Sequence, residues 1–383
     1  MNLSLHLFKS KLLLRLLAIR VFGTFFAFYI YSRLTTLGDA ERYLSAQLDF
    51  NPQNLVNRTS FTDLFYALLG SIFPDIIATL IPSLILGFVT YYVFHKSYRC
   101  TNKSLFWACM LLPHFVIWSS VAGKEVIAIT AFMIVIKSCV DKLVFNKINI
   151  PQVAIALVVG LLMRPHYFIP YFILFIGTIV KQDNKLKVAK ISQGVSGTLL
   201  ATVFAVFLAM LAASYGVWIN FLNTVMTLSE AYFLSYDADS NRLGIAWSNL
   251  SDFLGNIWWG IPTSIVGPTL SESLSKIIFI PIFIEGIISF LLVFYMLRLV
   301  LRLSDRESKY RPVIIFGFIP AVIVALVFHY PFGLFNPGSA IRYKQSLAPL
   351  FYFYPLLLMA EIRRVKVFSA ITMPKFMIKI PRY

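Results

Sequence analysis

Residues 73–95 read FPDIIATLIPSLILGFVTYYVFH, and Asp75 is the one charged side chain among them. About 20 apolar residues in helical form cross the ~30 Å hydrocarbon core of a bilayer. Lipid offers no partner to backbone N–H and C=O groups, so such a run must bond to itself as a helix. Comparable runs recur along the chain. They predict ten spans, at about residues 13–32, 73–95, 105–119, 125–140, 149–163, 167–180, 191–214, 276–297, 313–331 and 345–360. Several are short for a full crossing. The pairs 105–119/125–140 and 149–163/167–180 are therefore expected to tilt or to turn before the far surface.

Composition agrees. Of 383 residues, 58% are hydrophobic and 13% charged, with a mean hydropathy of +0.77. A soluble domain carries about a quarter charged residues. Alternating segments of about ten residues, the mark of a β-barrel, are absent. The expected fold is all-α and polytopic, a single transmembrane domain over residues 1–383. Cys100, Cys109 and Cys139 show neither a disulfide framework nor metal-ligand spacing. Lys9, Lys11 and Arg15 precede an apolar run with no small-residue cleavage site, which reads as an uncleaved signal anchor.

The charges orient the chain. The net charge of +17 sits in short gaps between apolar runs, where it serves topology and anionic lipid rather than nucleic acid. One side collects Lys96, Arg99 and Lys103, then Lys137, Lys142 and Lys147, then Lys181 to Lys190, then Arg298 to Arg311, and the basic tail. The positive-inside rule makes that side, and both termini, cytoplasmic. Acids gather opposite: Asp39, Glu41, Asp49, Asp63, Asp75, Glu125, Glu230, Asp237, Asp239, Asp252 and Glu272. Two outer segments are long, 33–72 and 215–275. Polar chemistry is therefore expected on the outer face.

Five constellations lie there. Gly38-Asp39-Ala40-Glu41-Arg42-Tyr43 directly follows the first span, where a carboxylate reaches both a lipid-linked phosphate and an aqueous hydroxyl, or else merely terminates a helix. Trp118 to Glu125 forms a tight turn, with Glu125 at a helix start where an anion is favoured and Lys124 beside it. Leu162-Met-Arg164-Pro165-His166-Tyr167 breaks a long apolar stretch, and an arginine at that depth needs protein, water or an anion. Asn336 to Lys344 holds Arg342, Tyr343 and Lys344, suited to phosphate or to interfacial anchoring. The long loop carries Asp237, Asp239, Asn241 and Arg242 with Trp218, Trp247, Trp258 and Trp259, the materials of a sugar-binding surface or of a membrane belt. Arg20 and Glu285 lie inside spans, with no partner named by the sequence.

In this order the motifs resemble the GT-C class of membrane glycosyltransferases, which use polyprenyl-phosphate-linked sugars, and bacterial O-antigen and capsule repeat-unit polymerases. The resemblance rests on Gly38-Asp39-Ala40 with Tyr43, on Glu125 closing a short turn, on Arg164-Pro165, and on the late Arg342-Tyr343. The acid that often follows the first is displaced here, Ala40 standing in that place and Glu41 one position later. The resemblance implies a GT-C-like fold in a bacterial inner membrane, with the site facing the periplasm. Its donor would be an undecaprenyl-(di)phosphate-linked sugar or oligosaccharide, and its product would feed lipopolysaccharide or another polysaccharide. Membrane lipid, a flippase and a chain-length regulator are the implied partners; nucleic acid is not one.

On that resemblance Asp39 is expected to be the general base. Arg164, His166, Arg342, Lys124 and Lys344 would meet the leaving phosphate. Tyr43, Glu41, Asp237, Asp239, Arg242 and Tyr343 would contact substrate. Glu125 would position the acceptor, or a divalent cation if the reaction uses one. A repeat-unit polymerase is the first expectation and a single-sugar transferase the second. A lipid-linked-oligosaccharide transporter is the alternative of another class, and it calls for polar residues at mid-span.

Overall fold

The computed structural model describes residues 10–35, 37–50, 57–180, 241, 242 and 244–372, with scattered residues between 216 and 231. The expected span 191–214, Trp218, Asp237 and Asp239 lie outside the described residues. The described residues are helical and contain no strand.

Four helical stretches are long and apolar enough to cross a membrane: Lys11–Arg33, Asp75–Phe94, Phe279–Arg306 and Ser308–Phe335. Ile150–Met163 and Pro165–Ile179 are apolar but shorter. The four coincide with the expected spans at 13–32, 73–95, 276–297 and 313–331. The remaining expected crossings take other forms. The stretch 105–119 is broken into Lys103–Met110 and Pro113–Trp118, because Pro113 cannot donate to the preceding turn. The helix Lys124–Phe145 is long enough but includes Lys124, Glu125, Lys137, Asp141 and Lys142.

Packing groups the chain into two compact units. The first comprises residues 1–178, 292–322 and 345–383, the second 179–291 and 323–344.

In the first unit, α1 (Lys11–Tyr29) lies on α4 (Asp75–Phe94). Its buried positions are Leu12, Leu13, Leu16, Arg20, Gly23, Thr24 and Ala27, a stripe of three- and four-residue steps. The outward positions Leu14, Phe22, Phe25 and Tyr29 are large and apolar. The face of α4 turned inward is Ala78, Thr79, Ser83, Gly87 and Thr90, whereas Ile77, Ile85, Phe88 and Tyr92 are exposed. A soluble helix has the opposite distribution. Small and hydroxyl residues inside with large apolar ones outside are what lipid selects, because close backbone approach drives association there. Between them in sequence are α2 (Ala40–Leu44) and α3 (Arg58–Gly70), which give helical form to part of the segment 33–72. After α5 (Lys103–Met110) and α6 (Pro113–Trp118) comes α7 (Lys124–Phe145), which packs on α4, on α8 (Ile150–Met163) and on the last helix, Tyr354–Thr372. Asn146 closes α7 in the left-handed region at φ 56°, with the Lys147 N–H returning to Asp141 O.

Pro165 ends α8 and opens α9 (Pro165–Val180). There Tyr171 Oη donates to Ser346 O at 2.8 Å and accepts from Leu350 N at 3.1 Å. That bond serves an N–H within the π-helical segment Pro349–Phe353.

The second unit is built on α10 (Leu250–Val266), α11 (Leu270–Ser275), the first half of α12 (Phe279–Arg306), the greater part of α13 (Ile319–Phe335) and α14 (Pro337–Tyr343). Three glycines set its spacing. Gly260 abuts the Tyr330 ring, Gly286 the Val266 backbone and Gly333 the Ser264 backbone, so a Cβ at any of them meets occupied space. Trp247 is buried with Met226, Tyr330, Leu334 and Phe335. It is core, not the sugar-stacking platform expected of the long loop. Trp258 remains 75% exposed.

Candidate functional site

The polar side chains expected to act together after the first span are assembled within the first unit. Gly38, at φ 62°, turns the chain out of the first span. Asp39 then stands at the N-cap of α2, yet its side chain makes no cap hydrogen bond and is 41% exposed. It does not serve as a helix terminator. Leu37, Ala40 and Tyr43 dock α2 inward, leaving Glu41 and Arg42 exposed.

Tyr43 is the hinge of the cluster. Its hydroxyl donates to Asp39 Oδ2 at 3.4 Å, and its ring stacks on Tyr66 with centroids 5.9 Å apart. Lys124 Nζ lies 5.9 Å from the same ring and donates to Thr59 Oγ1 at 2.7 Å. Arg42 faces two carboxylates, Asp39 at 3.9 Å and Asp63 at 3.5 Å. Burial pushes the Asp63 carboxyl above the usual range; Asp39 adds to this, while Arg42 and Lys124 oppose it.

Behind this layer the whole turn Ser119–Gly123 is buried. Groups of α2 and α3 pack against this turn. Tyr66 Oη accepts from Gly123 N at 2.9 Å and donates to Gly123 O at 3.3 Å. Burial raises the Tyr66 phenol well above its ordinary range, so it stays protonated. A Cβ on Gly123 would lie 2.7 Å from Glu125 Oε2, which leaves no room for another residue.

Glu125 and Arg164 form an ion pair, their side chains 2% and 6% exposed. Arg164, expected to meet a substrate phosphate, holds Glu125 through its Nη2. His166, in the first turn of α9, packs edge-on against Tyr167 at 4.1 Å. Deeper in the first span Arg20 is wholly buried. It donates through Nη1 to Ser119 and lies 5.3 Å from the Phe115 ring. Its Nε and Nη2 have no hydrogen-bond partner. Arg20 thereby pins the start of the turn whose far end carries Lys124 and Glu125.

The other expected residues belong to the second unit. Arg242 grips Glu272 with both arms, Nε–Oε1 at 2.5 Å and Nη2–Oε2 at 2.7 Å, and also donates to the carbonyls of Gly333 and Gly267. Its donors are engaged by the protein, so its role is to tie helices together. Burial alone would raise the Glu272 carboxyl; the hydrogen bonds from Arg242 and Thr269 outweigh that and hold it below its ordinary range. Asn336 caps α14 and donates to Asn241 Oδ1 at 3.0 Å. Arg342 is buried beside the Tyr343 ring at 5.3 Å. Lys344 donates to Ile265 O at 2.8 Å; burial lowers its pKa to about 8, and the charge of Glu285 opposes that fall.

Thr59, Asp63, Tyr66 and Glu272 escaped the sequence reading as site residues. Thr269-x-x-Glu272 is a capping box and was legible as such. Asp63 and Tyr66 carry no local signal, because only the packing of α3 puts them beside Lys124. Among the described residues no group of three or more His, Cys, Asp or Glu is arranged to hold a metal ion. No family model, curated protein or solved structure matches this chain.

Proposed function

We propose that this chain is a membrane glycosyltransferase of GT-C-like architecture. Its donor is an undecaprenyl-(di)phosphate-linked sugar, and it acts on the periplasmic face of a bacterial inner membrane. The ten-span topology with cytoplasmic termini belongs to this proposal, as does the preference for a repeat-unit polymerase over a single-sugar transferase. One observation carries it. The carboxylate of Asp39 sits just past the first span, accessible to water and not used as a cap, with Lys124 and the Glu125–Arg164 pair packed behind it.

The acceptor hydroxyl gives its proton to Asp39 as its oxygen bonds to the anomeric carbon from the face opposite the phosphate. The bond from that carbon to the phosphate oxygen breaks, and the electron pair leaves with the phosphate. Charge grows on the departing phosphate, so cations act where it matters most. Lys124, with its Nζ 5.9 Å from the Tyr43 ring, Arg164 and His166 are the cations proposed for that phosphate within the first unit. Glu125 orients Arg164 and, if a divalent cation takes part, is its first ligand.

The test is turnover of a polyprenyl-diphosphate-linked oligosaccharide by protein purified into nanodiscs. Product formation by the wild type and its loss in Asp39→Asn supports the reading; turnover undiminished in Asp39→Asn refutes the base. A second reading, a transporter of the same lipid-linked glycan, is favoured by Arg20 and Glu285, buried charges inside apolar helices. Movement of the glycan across a vesicle membrane with no glycosidic bond formed would select it.

A further inference from the structure

Past the end of α4 lies a basic surface that the proposed reaction does not use. Lys96, Arg99 and Lys103 follow one another there, and all three are exposed. The turn Tyr98–Cys100 between them packs on the last helix. From that helix Arg363, also exposed, donates through Nη1 to Cys100 O at 3.5 Å. A fourth cation thus joins the first three from 263 residues away. Among the described residues none of the four is in an ion pair, whereas Lys137 is held by Asp141, Arg364 by Glu361 and Lys366 by Glu307. We infer that this surface binds the headgroup of an anionic phospholipid, whose acyl chains run along the outward face of α4. The inference needs the chain to lie in a membrane and is independent of the transferase reading.

Charge calls for an anion. The forks of Arg99 and Arg363 match pairs of phosphate oxygens, and Lys96 and Lys103 add point charges. The neighbouring apolar surface makes that anion a lipid. Ile85, Phe88 and Tyr92 are exposed on α4 at steps of three and four residues, which places them on one face. Lys96 comes four residues after Tyr92, so the stripe leads into the basic surface. The aromatic groups mark the level. Trp107 Nε1 donates to Tyr98 Oη at 2.9 Å, and Lys103 Nζ lies 6.0 Å from the Tyr98 ring. Amphipathic rings of this kind settle at the boundary between hydrocarbon and headgroups. The positive-inside rule makes this side cytoplasmic, where the leaflet is anionic and attracts basic segments next to a span.

The experiment holds the full chain in phosphatidylcholine nanodiscs, titrates in phosphatidylglycerol, and counts the lipid retained on the protein by native mass spectrometry. Phosphatidylglycerol is expected to be retained in preference to phosphatidylcholine. One cation near an anionic surface changes affinity about fivefold, so Arg99→Gln and Arg363→Gln should each weaken retention by about that factor. Both positions are exposed, so these single variants do not depend on a heavily altered chain folding. The control is Arg298→Gln/Arg302→Gln/Arg306→Gln/Arg311→Gln, which removes four exposed cations from the same side of the charge pattern. Retention should survive it. Retention unchanged in both single variants, or lost as fully in the control as in Lys96→Gln/Arg99→Gln/Lys103→Gln/Arg363→Gln, would overturn the inference. So would displacement of the lipid by equimolar glycerol phosphate, since the ligand would then be a soluble anion. Glycosyl transfer, present or absent, leaves each of these outcomes readable.

Discussion

The two units treat their buried charges in opposite ways. In the second, Arg242 meets Glu272 and two backbone carbonyls, and Lys344 meets Ile265 O and the charge of Glu285. Each of these cations is held by groups of the protein itself. In the first, Glu125 and Arg164 are sealed together, but the layer above them is open. Asp39 is 41% and Arg42 50% exposed. A saturated network rigidifies a fold, whereas exposed groups held over a rigid base remain able to act on something else. On the proposed function, the contrast fits stability for the ion pairs of the second unit and chemistry for the exposed groups of the first.

The sharpest way to break that contrast is Asp39→Asn. Loss of a general base lowers kcat by about 10²–10⁴-fold, and the exposed position predicts an unchanged thermal midpoint. A fall in midpoint with kcat retained would move Asp39 to the structural side. Next in size is the sealed pair. Arg164→Met leaves Glu125 buried without a counter-charge, at about 3–5 kcal/mol of stability, whereas the Glu125→Gln/Arg164→Met double variant should lose markedly less. Denaturant midpoints of the singles and the double measure the coupling.

A smaller effect is expected from Arg242→Met, roughly 2 kcal/mol from hydrogen bonds to a charged group. It should come with a change in acid response. The Glu272 carboxyl is held below its ordinary value of 4.5. Its contribution is therefore complete above that value and disappears as pH falls through the lowered folded-state pKa. Midpoints recorded from pH 7 to 3 should drop less steeply in Glu272→Gln than in the wild type. The smallest effect belongs to Asp63. Its raised carboxyl favours the protonated form in the fold, so its ionisation above the raised value opposes folding. Asp63→Asn should leave the midpoint equal or slightly higher at pH 7 and flatten its rise on mild acidification.

What could be read in advance varied with range. Asp75–Phe94 announced its helix through length and apolarity, and the Arg164-Pro165 break was visible because proline cannot continue a helix. The Trp118–Glu125 turn was legible as a turn but not as a buried one, since burial depends on α2 and α3 meeting it. Arg164 was legible as a costly charge, not as the partner of Glu125, 39 residues away. Trp247 misled because tryptophan suits a core, a sugar face and an interface alike.

The sequence by itself determined that this protein is helical and apolar enough for a membrane, because backbone hydrogen bonding in lipid permits little else and is written into runs of about 20 residues. It also determined that acids gather where basic residues are few. Only the tertiary structure decided which acid met which base: that Arg242 met Glu272, that Arg164 met Glu125, and that Asp39 stayed partly exposed beside Arg42. Pairing energies depend on distances of a few ångströms between residues remote in the chain, and those distances exist only once the helices have packed.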